Sequence, residues 1–226
     1  MKGSCASENP LIAHIVFRFD YGGLENGVVN VINGLADAPL RHVVIALSEA
    51  TDFAKRLHED VEVFSIGKQP GKDLGAYVRL YKLLRKMRPA VVHTRNLGTI
   101  DCAFVAFLAR VPLRIHGEHG WDVFDPDGTN RKYRFMRRVM APFIQTFVTV
   151  SRDLQRWLTE VVGIRASKIQ YICNGVDTDR FKPRSEDVQT DASRDAVIGS
   201  VTRFSEIKDP LYLVEAFVDL RAKGES

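Results

Sequence analysis

Short apolar runs alternate along this chain with longer segments of helical period, and this alternation limits the folds that the sequence can adopt. The runs have the length of buried strands and are bounded by polar residues. They lie at 11–17, 43–47, 61–66, 90–94, 113–119, 147–151 and 169–173. Strand, helix and strand at these intervals predict a Rossmann-like, doubly wound α/β domain, whose mostly parallel sheet carries helices on both faces.

The first segment between two runs has the pattern of a helix that covers a sheet. Apolar residues recur there at spacings of three and four, which predicts one buried face. These residues are Leu24, Val28, Val31, Ile32 and Leu35.

A change in composition divides the chain into three predicted parts. Residues 177–196 are dense in charge and offer little to bury, so we expect a linker after an N-terminal domain at 1–176. The remaining segment, 197–226, has a strand-like start and a helix that Asp209 caps and Pro210 begins. One strand and one helix cannot enclose a core, so we expect the truncated start of a second Rossmann-like domain.

Charge and cysteine content narrow the classes of function. The 226 residues carry a formal net charge of +4 and the sequence pI is near 9.0; this excess suits anionic ligands but is too small to indicate nucleic acid. Cys5, Cys102 and Cys173 show no metal-ligand spacing and fit a reducing compartment. With no signal peptide or membrane-spanning run, the sequence predicts a cytoplasmic protein. Neither metal-ligand spacing of the cysteines nor a dinucleotide fingerprint is present, and we expect no bound metal or cofactor.

Paired glycines follow the first apolar run and precede a helix. Gly22 and Gly23 let backbone N–H groups turn toward a phosphate or a sugar hydroxyl at the positive helix N-terminus. A tight turn without a ligand explains them equally well. The loop lacks the GxGxxG pattern, which argues against a nicotinamide-dependent oxidoreductase.

Two basic residues near the end of the chain form a second candidate site. Arg203 follows the last strand-like run and Lys208 precedes the last helix. A diphosphate held without a metal needs fixed cations to take up charge as its ester bond breaks. The alternative is a solvated loop that happens to carry two basic residues.

Polar residues follow three later strands, at the edge where open α/β sheets bind ligands. His119 is the strongest of them, with Glu118 and Asp122 as weaker neighbours in the HGEHGWD segment. Ser151 is placed to cap a helix, and capping alone explains it. Asn174 begins an NGVD turn and is likewise satisfied by turn geometry.

Two basic helical stretches, 78–88 and 131–140, interleave cations with Tyr, Leu, Phe or Met. Such a stretch could rest on an anionic bilayer. A helix that covers the sheet and has a charged outer face would have almost the same sequence. We favour the second interpretation for 78–88 and leave 131–140 open.

The order and spacing of the motifs GGLE, GEHGWD, VSRDL, NGVDTDRF and GSVTRFSEIKDP carry more information than any of them alone. Together they resemble the GT-B glycosyltransferases of family 4, and most closely the bacterial sugar transferases of exopolysaccharide assembly. The resemblance extends over residues 11–224 and implies two Rossmann-like domains, the first for the acceptor and the second for the nucleotide sugar.

The resemblance also implies roles for individual residues. Arg203 and Lys208 would neutralise the donor diphosphate, which the paired-glycine loop would approach from the opposite wall. His119 would contact the transferred sugar, and Glu25 matches the acidic residue of the family loop. Contacts to the substrate are further expected from the residues Glu118, Ser151 and Asn174.

The implied function is transfer of a sugar, with retention, from a nucleoside diphosphate sugar to a glycan or lipid-linked acceptor in polysaccharide biosynthesis. The setting would be the cytoplasm or the inner face of the plasma membrane, where the protein touches anionic lipid. Members of the family carry two glutamates, eight positions apart, well into the second domain, and this chain ends before that motif. We therefore expect a fragment that is inactive alone. A non-catalytic acceptor- or membrane-binding module and a GT-B nucleotide-sugar 2-epimerase are the alternatives.

Overall fold

The computed structural model describes residues 9–122, 125–179, 181–182, 198–202, 204 and 209–223. The chain divides into two compact units, Met1–Gly175 and Val176–Ser226. The first unit contains the sheet and the helices that cover it.

Seven parallel strands form one sheet in the first unit, which confirms the predicted fold class. In spatial order they are β3, β2, β1, β4, β5, β6 and β7. Each lies within two residues of the run that predicted it. The strands are β1 Leu11–Val16, β2 Arg41–Ala46, β3 Glu62–Ser65, β4 Val91–Arg95, β5 Leu113–Glu118, β6 Thr146–Thr149 and β7 Ile169–Tyr171.

Five α-helices connect these strands, and short 3₁₀ or π turns complete several of the connections. The helices are α1 Gly23–Gly34, α2 Leu74–Met87, α3 Cys102–Leu108, α4 Arg131–Met140 and α5 Arg152–Trp157. Polar side chains cap three of them: Asp73 accepts from the Ala76 N–H, Asn130 from two N–H groups of α4, and Ser151 from the Leu154 N–H.

The buried face of α1 differs from the predicted one. Val28 and Ile32 are buried as expected, but Val29 joins them, whereas Val31 and Leu35 are exposed. The apolar stripe is therefore rotated by part of a turn. It packs on Val44 and the other β1 and β2 side chains of that face, which sequence spacing alone cannot locate.

The two faces of the sheet carry separate cores because strand side chains alternate in direction. Ala13, Ile15 and Ile45 pack with α2 and α3 on one face, while Val16 and Ala46 pack with α1 on the other. Helices on both faces make this a doubly wound sheet. The same alternation decides which polar residues can meet at the carboxyl edge.

The second unit contains helix α6, Pro210–Ala222. Asp209 caps it as predicted, its carboxylate accepting from the Tyr212 N–H at 3.3 Å. The strand-like run at 196–204 behaves differently from the prediction, because residues 198–202 are not in a strand. A strand needs a neighbour to pair its backbone groups, and periodicity does not show whether one is present.

Candidate ligand-binding site

The strand order reverses direction between β1 and β4, which places the topological switch point of the sheet there. Open α/β sheets bind their ligands outside the carboxyl ends of the strands at this point. The paired-glycine loop follows β1, Arg95 is the last residue of β4, and Asn96 follows it. The strongest candidate site is therefore built from these two loops and the adjoining end of β5.

The paired-glycine loop is shaped by Glu25. Gly22 is the N-cap of α1, and a Cβ atom on it would overlap the Glu25 carboxylate, whereas a Cβ on Gly23 would meet nothing within 4 Å. Gly22, the N-cap residue, has no side chain that could cap α1. The carboxylate of Glu25 lies against it at the helix N-terminus, where the positive end of the helix dipole favours a negative charge.

Arg95 starts a directed chain of hydrogen bonds behind this loop. Because a guanidinium can only donate, its Nη2 donates to Nδ1 of His14 at 3.2 Å. Burial first, and then Arg95 and His42, lower the pKa of His14 well below its usual value. Neutral His14 therefore carries its proton on Nε2 and donates it to Nδ1 of His42 at 3.0 Å.

His93 and His119 converge on Gly117 beside this chain. A Cβ atom on Gly117 would overlap Nε2 of His119 and lie 3.1 Å from Nε2 of His93, so glycine makes room for both rings. Burial, reinforced by Arg95, lowers the pKa of His119 to about 4 and lowers that of His93 strongly. Both rings are thus neutral at physiological pH.

Asn96 fixes the position of His119. Its Oδ1 accepts from the His119 N–H at 2.7 Å, and its own N–H donates to the Gly117 carbonyl, also at 2.7 Å. Asn96 has a φ of 53° and ψ of 176°, a conformation that only glycine adopts without strain. Local strain of this kind is maintained only where surrounding contacts enforce it, and here the hydrogen bonds to Gly117 and His119 do so.

Glu118 is placed on the opposite face from His119, although the two residues are adjacent. Its carboxylate receives a two-pronged ion pair from Arg137, with Nε–Oε1 at 2.6 Å and Nη2–Oε2 at 3.1 Å. Nε2 of His116 lies 3.4 Å from the same Oε1. Glu118 is 1% exposed, so a direct substrate contact by Glu118 finds no support in its surroundings.

Ser151 and Asn174 lie at the same edge but outside this cluster. Ser151 caps α5 with an Oγ–N distance of 3.2 Å, which accounts for its side chain. Asn174 is exposed beyond the end of β7. Arg203 and Lys208 lie outside the described residues, so their predicted roles stay predictions.

The sequence interpretation missed three residues that shape this site: His93, Arg95 and Arg137. Arg95 is the last residue of β4, one position beyond the predicted run. Side chains two positions apart lie on the same face of a strand, so attention to His93 would also have placed Arg95 on that face. Arg137 lies in the basic stretch 131–140, whose interpretation the sequence left open, and it is 3% exposed.

Substitution of Gly117 by alanine is expected to displace His119 while the fold is retained, since only side-chain ends need to move. The pKa of His119 should then rise from about 4 toward the usual histidine value as the ring gains solvent. NMR titration of the histidine rings measures this. Gly27→Ala is the matched control, because its Cβ would meet nothing within 4 Å; an unchanged His119 titration in Gly117→Ala would contradict the placement.

A doubly wound parallel sheet with buried polar groups at its switch point defines a Rossmann-like ligand-binding domain. Within that class, the chain belongs to glycosyltransferase family 4, because the family model described as Glycosyltransferase Family 4 matches residues 21–180. The resemblance to family 4 that the motifs indicated is thereby confirmed over these residues.

Individual relatives agree with this assignment. The chain is 29% identical over 157 residues to an Escherichia coli UDP-Gal:alpha-D-GlcNAc-diphosphoundecaprenol alpha-1,3-galactosyltransferase, a match that covers 64% of this chain and 40% of that protein. Anabaena HepE, solved with UDP and glucose, has a similar fold, with a TM-score of 0.60, 20% identity and coverage of 78% of this chain and 47% of HepE.

The fold is also shared outside the transferases. A UDP-N-acetylglucosamine 2-epimerase from Rickettsia bellii has a TM-score of 0.51 at 13% identity, with 73% of this chain and 45% of that chain covered. The chain thus spans less than half the length of each of these proteins. No helix in the described part of the chain is both long and apolar enough to cross a membrane.

Proposed function

We propose that the chain forms the acceptor-side domain, and the start of the donor-side domain, of a glycosyltransferase that uses a nucleoside diphosphate sugar. The observation that carries this proposal is the family match over residues 21–180, which includes the glycine loop, the His119 segment and Ser151. The E. coli relative is named for transfer from UDP-Gal to a diphosphoundecaprenol-linked sugar. An acceptor of the glycan or lipid-linked kind, in polysaccharide biosynthesis, is the corresponding proposal here.

The proposed chemistry is transfer with retention at the anomeric carbon. The bond between this carbon and the diphosphate oxygen breaks, and the diphosphate leaves with the electron pair. The acceptor hydroxyl oxygen forms the new bond to the carbon, and its proton passes to the departing diphosphate. Arg203 and Lys208, rather than a metal, would neutralise the leaving diphosphate. His119 would contact the sugar, and N–H groups of the Gly22–Gly23 loop would face the phosphates.

A groove between α2 and α3 supports a lipid-linked acceptor. Its volume is about 730 Å³, and its lining includes the exposed apolar side chains of Leu74, Phe104 and Leu108. Both helices begin at the carboxyl edge of the sheet, so an acyl or prenyl chain in the groove would lead toward the proposed site. Cations on the outer face of α2 would meet anionic lipid at the inner face of the plasma membrane.

Transfer is expected from a version that continues into a complete second domain, and not from this 226-residue chain alone, because positioning between two domains supplies much of the rate. Arg203→Ala and Lys208→Ala should each lower kcat by about 10²-fold or more. A panel of UDP-, GDP- and ADP-sugars with lipid diphosphate acceptors measures both. Arg221→Ala, an exposed cation on α6, is the control and should retain activity.

Other outcomes of the same assay correspond to the alternatives. Isomerisation of the nucleotide sugar without transfer would identify a 2-epimerase. Acceptor or vesicle binding without turnover in the longer protein would identify a non-catalytic module. Either result would contradict the proposed transfer and leave the fold assignment unaffected.

A further inference from the structure

Arg95 places a buried, incompletely paired guanidinium at the switch point. The residue is 5% exposed, and its Nη2 donates to His14. Its Nη1 has no hydrogen-bond partner among the residues that the structure describes. A buried charged donor without an acceptor is costly, and native structures provide one for nearly all such groups.

Two neighbouring imidazole nitrogens are also buried and unpaired. Nε2 of His93 and Nε2 of His119 are both buried, and neither has a hydrogen-bond partner in the described part of the chain. Both lie beside the space that a Gly117 side chain would fill. Gly117 is the register partner of Arg95 in the adjacent strand, so all three nitrogens border one small region of the sheet edge.

The chemistry of these groups selects an anionic oxygen ligand. A guanidinium donates and never accepts, and the two neutral imidazoles can each present an N–H at Nε2. Phosphoryl oxygens are the acceptors for which arginine is best suited, since they accept several charge-assisted hydrogen bonds. The first N–H groups of α1, at Gly22 and Gly23, follow the neighbouring strand and add to the positive potential.

We propose that Arg95, His93 and His119 form a phosphoryl-binding pocket in the first unit, with Nη1 of Arg95 as its main donor. The proposal rests on the proposed function, because the phosphoryl group would belong to the diphosphate of either the donor or the acceptor. It is separate from the contact assigned to Arg203 and Lys208, and it assigns Nε2 of His119 to the phosphoryl group rather than to the sugar.

The Glu25 carboxylate lies against Gly22 at the start of α1, and its negative charge opposes the binding of an anion beside it. Burial lowers the pKa of Arg95 to about 10, and the Glu25 charge partly restores it. An incoming phosphoryl group competes with this carboxylate for the guanidinium. Removal of the Glu25 charge should therefore strengthen phosphoryl binding, whereas removal of the Arg95 guanidinium should weaken it.

The first experiment titrates the full 226-residue chain with inorganic pyrophosphate, by calorimetry and by long-range ¹H–¹⁵N NMR of the histidine rings. We expect saturable shifts of His93 and His119, a Kd at least tenfold weaker in Arg95→Lys, and a tighter Kd in Glu25→Gln. Lys55→Gln, which removes an exposed cation paired with Asp52, should bind as the unchanged protein does. If Arg95→Lys fails to fold, Glu25→Gln still tests the pocket with Arg95 intact.

The pocket is overturned if pyrophosphate shifts neither histidine, if Arg95→Lys binds as tightly as the unchanged chain, or if Glu25→Gln does not tighten binding. UDP and farnesyl diphosphate then distinguish the two sources of the phosphoryl group. Arg95-dependent binding of UDP assigns the pocket to the donor, and Arg95-dependent binding of farnesyl diphosphate assigns it to the acceptor.

Different experimental results would contradict the phosphoryl-binding pocket and the proposed function. Transfer by the longer protein with an unchanged KM for both substrates in Arg95→Lys would contradict the pocket alone. Arg95-dependent pyrophosphate binding without any transfer by the longer protein would contradict the function alone.

Discussion

Replacement of Glu118 by alanine is expected to destabilise the protein by about 3–5 kcal/mol, the typical cost of leaving one partner of a buried ion pair uncompensated. Arg137 would keep its charge at a site that is 3% exposed. Its guanidinium also lies 4.9 Å from the centre of the Trp157 ring, so it cannot turn to solvent without opening that packing. Urea unfolding at neutral pH measures the change.

Two control variants separate charge burial from other effects. The double variant Glu118→Met with Arg137→Met should recover most of the loss, because apolar side chains of similar volume replace buried ion pairs at little cost. Glu49→Ala breaks an exposed pair with Arg18 and should cost less than about 1 kcal/mol. Equal losses in Glu118→Ala and Glu49→Ala would contradict the buried pair.

The ion pair between Glu118 and Arg137 also makes the stability of the protein depend on pH in the acid range. Burial by itself raises the pKa of Glu118, but hydrogen bonds from His116 and Arg137 outweigh it and lower the pKa to about 2. Since this folded value lies below the unfolded one, the stabilisation is complete above the unfolded pKa and is lost as the pH falls through about 2. Glu118→Gln should lack this part of the pH dependence.

The sheet could be predicted from the sequence because parallel strands buried on both faces require continuous apolar runs. All seven runs became strands, and Ser151 and Asp209 became the helix caps that their positions indicated. These features depend only on which residues are neighbours in the sequence. The family motifs then supplied the class of enzyme that no single residue could indicate.

The site was harder to predict because its contacts join residues far apart in the sequence. Arg137 looked like one more cation on a basic helix, and only its pairing with Glu118 explains its burial. Glu118 and His119 were grouped as neighbours, but alternation at the end of β5 sends them to opposite faces. The unpaired nitrogen of Arg95 is a property of packing, which composition and spacing do not reveal.

Acidification is expected to destabilise the protein steeply below about pH 6.5, the usual pKa of an unfolded histidine. Burial and then Arg95 lower the pKa of His14, His93 and His119 in the folded protein, to about 4 for His119. The unfolded chain therefore binds more protons in this window, and stability falls as the pH falls. Each such histidine steepens the dependence by about 1.4 kcal/mol per pH unit.

His14→Gln tests this linkage without removing the hydrogen-bond chain. A glutamine oxygen can accept from Arg95 and its amide can donate to His42, as the two ring nitrogens of His14 do. Urea unfolding between pH 7 and 4 should then show a slope that is shallower by about one proton. His58→Gln removes an exposed histidine as the control. An equal change in both variants would mean that burial beside Arg95 does not set the acid sensitivity, and that the histidines at the switch point are open to solvent.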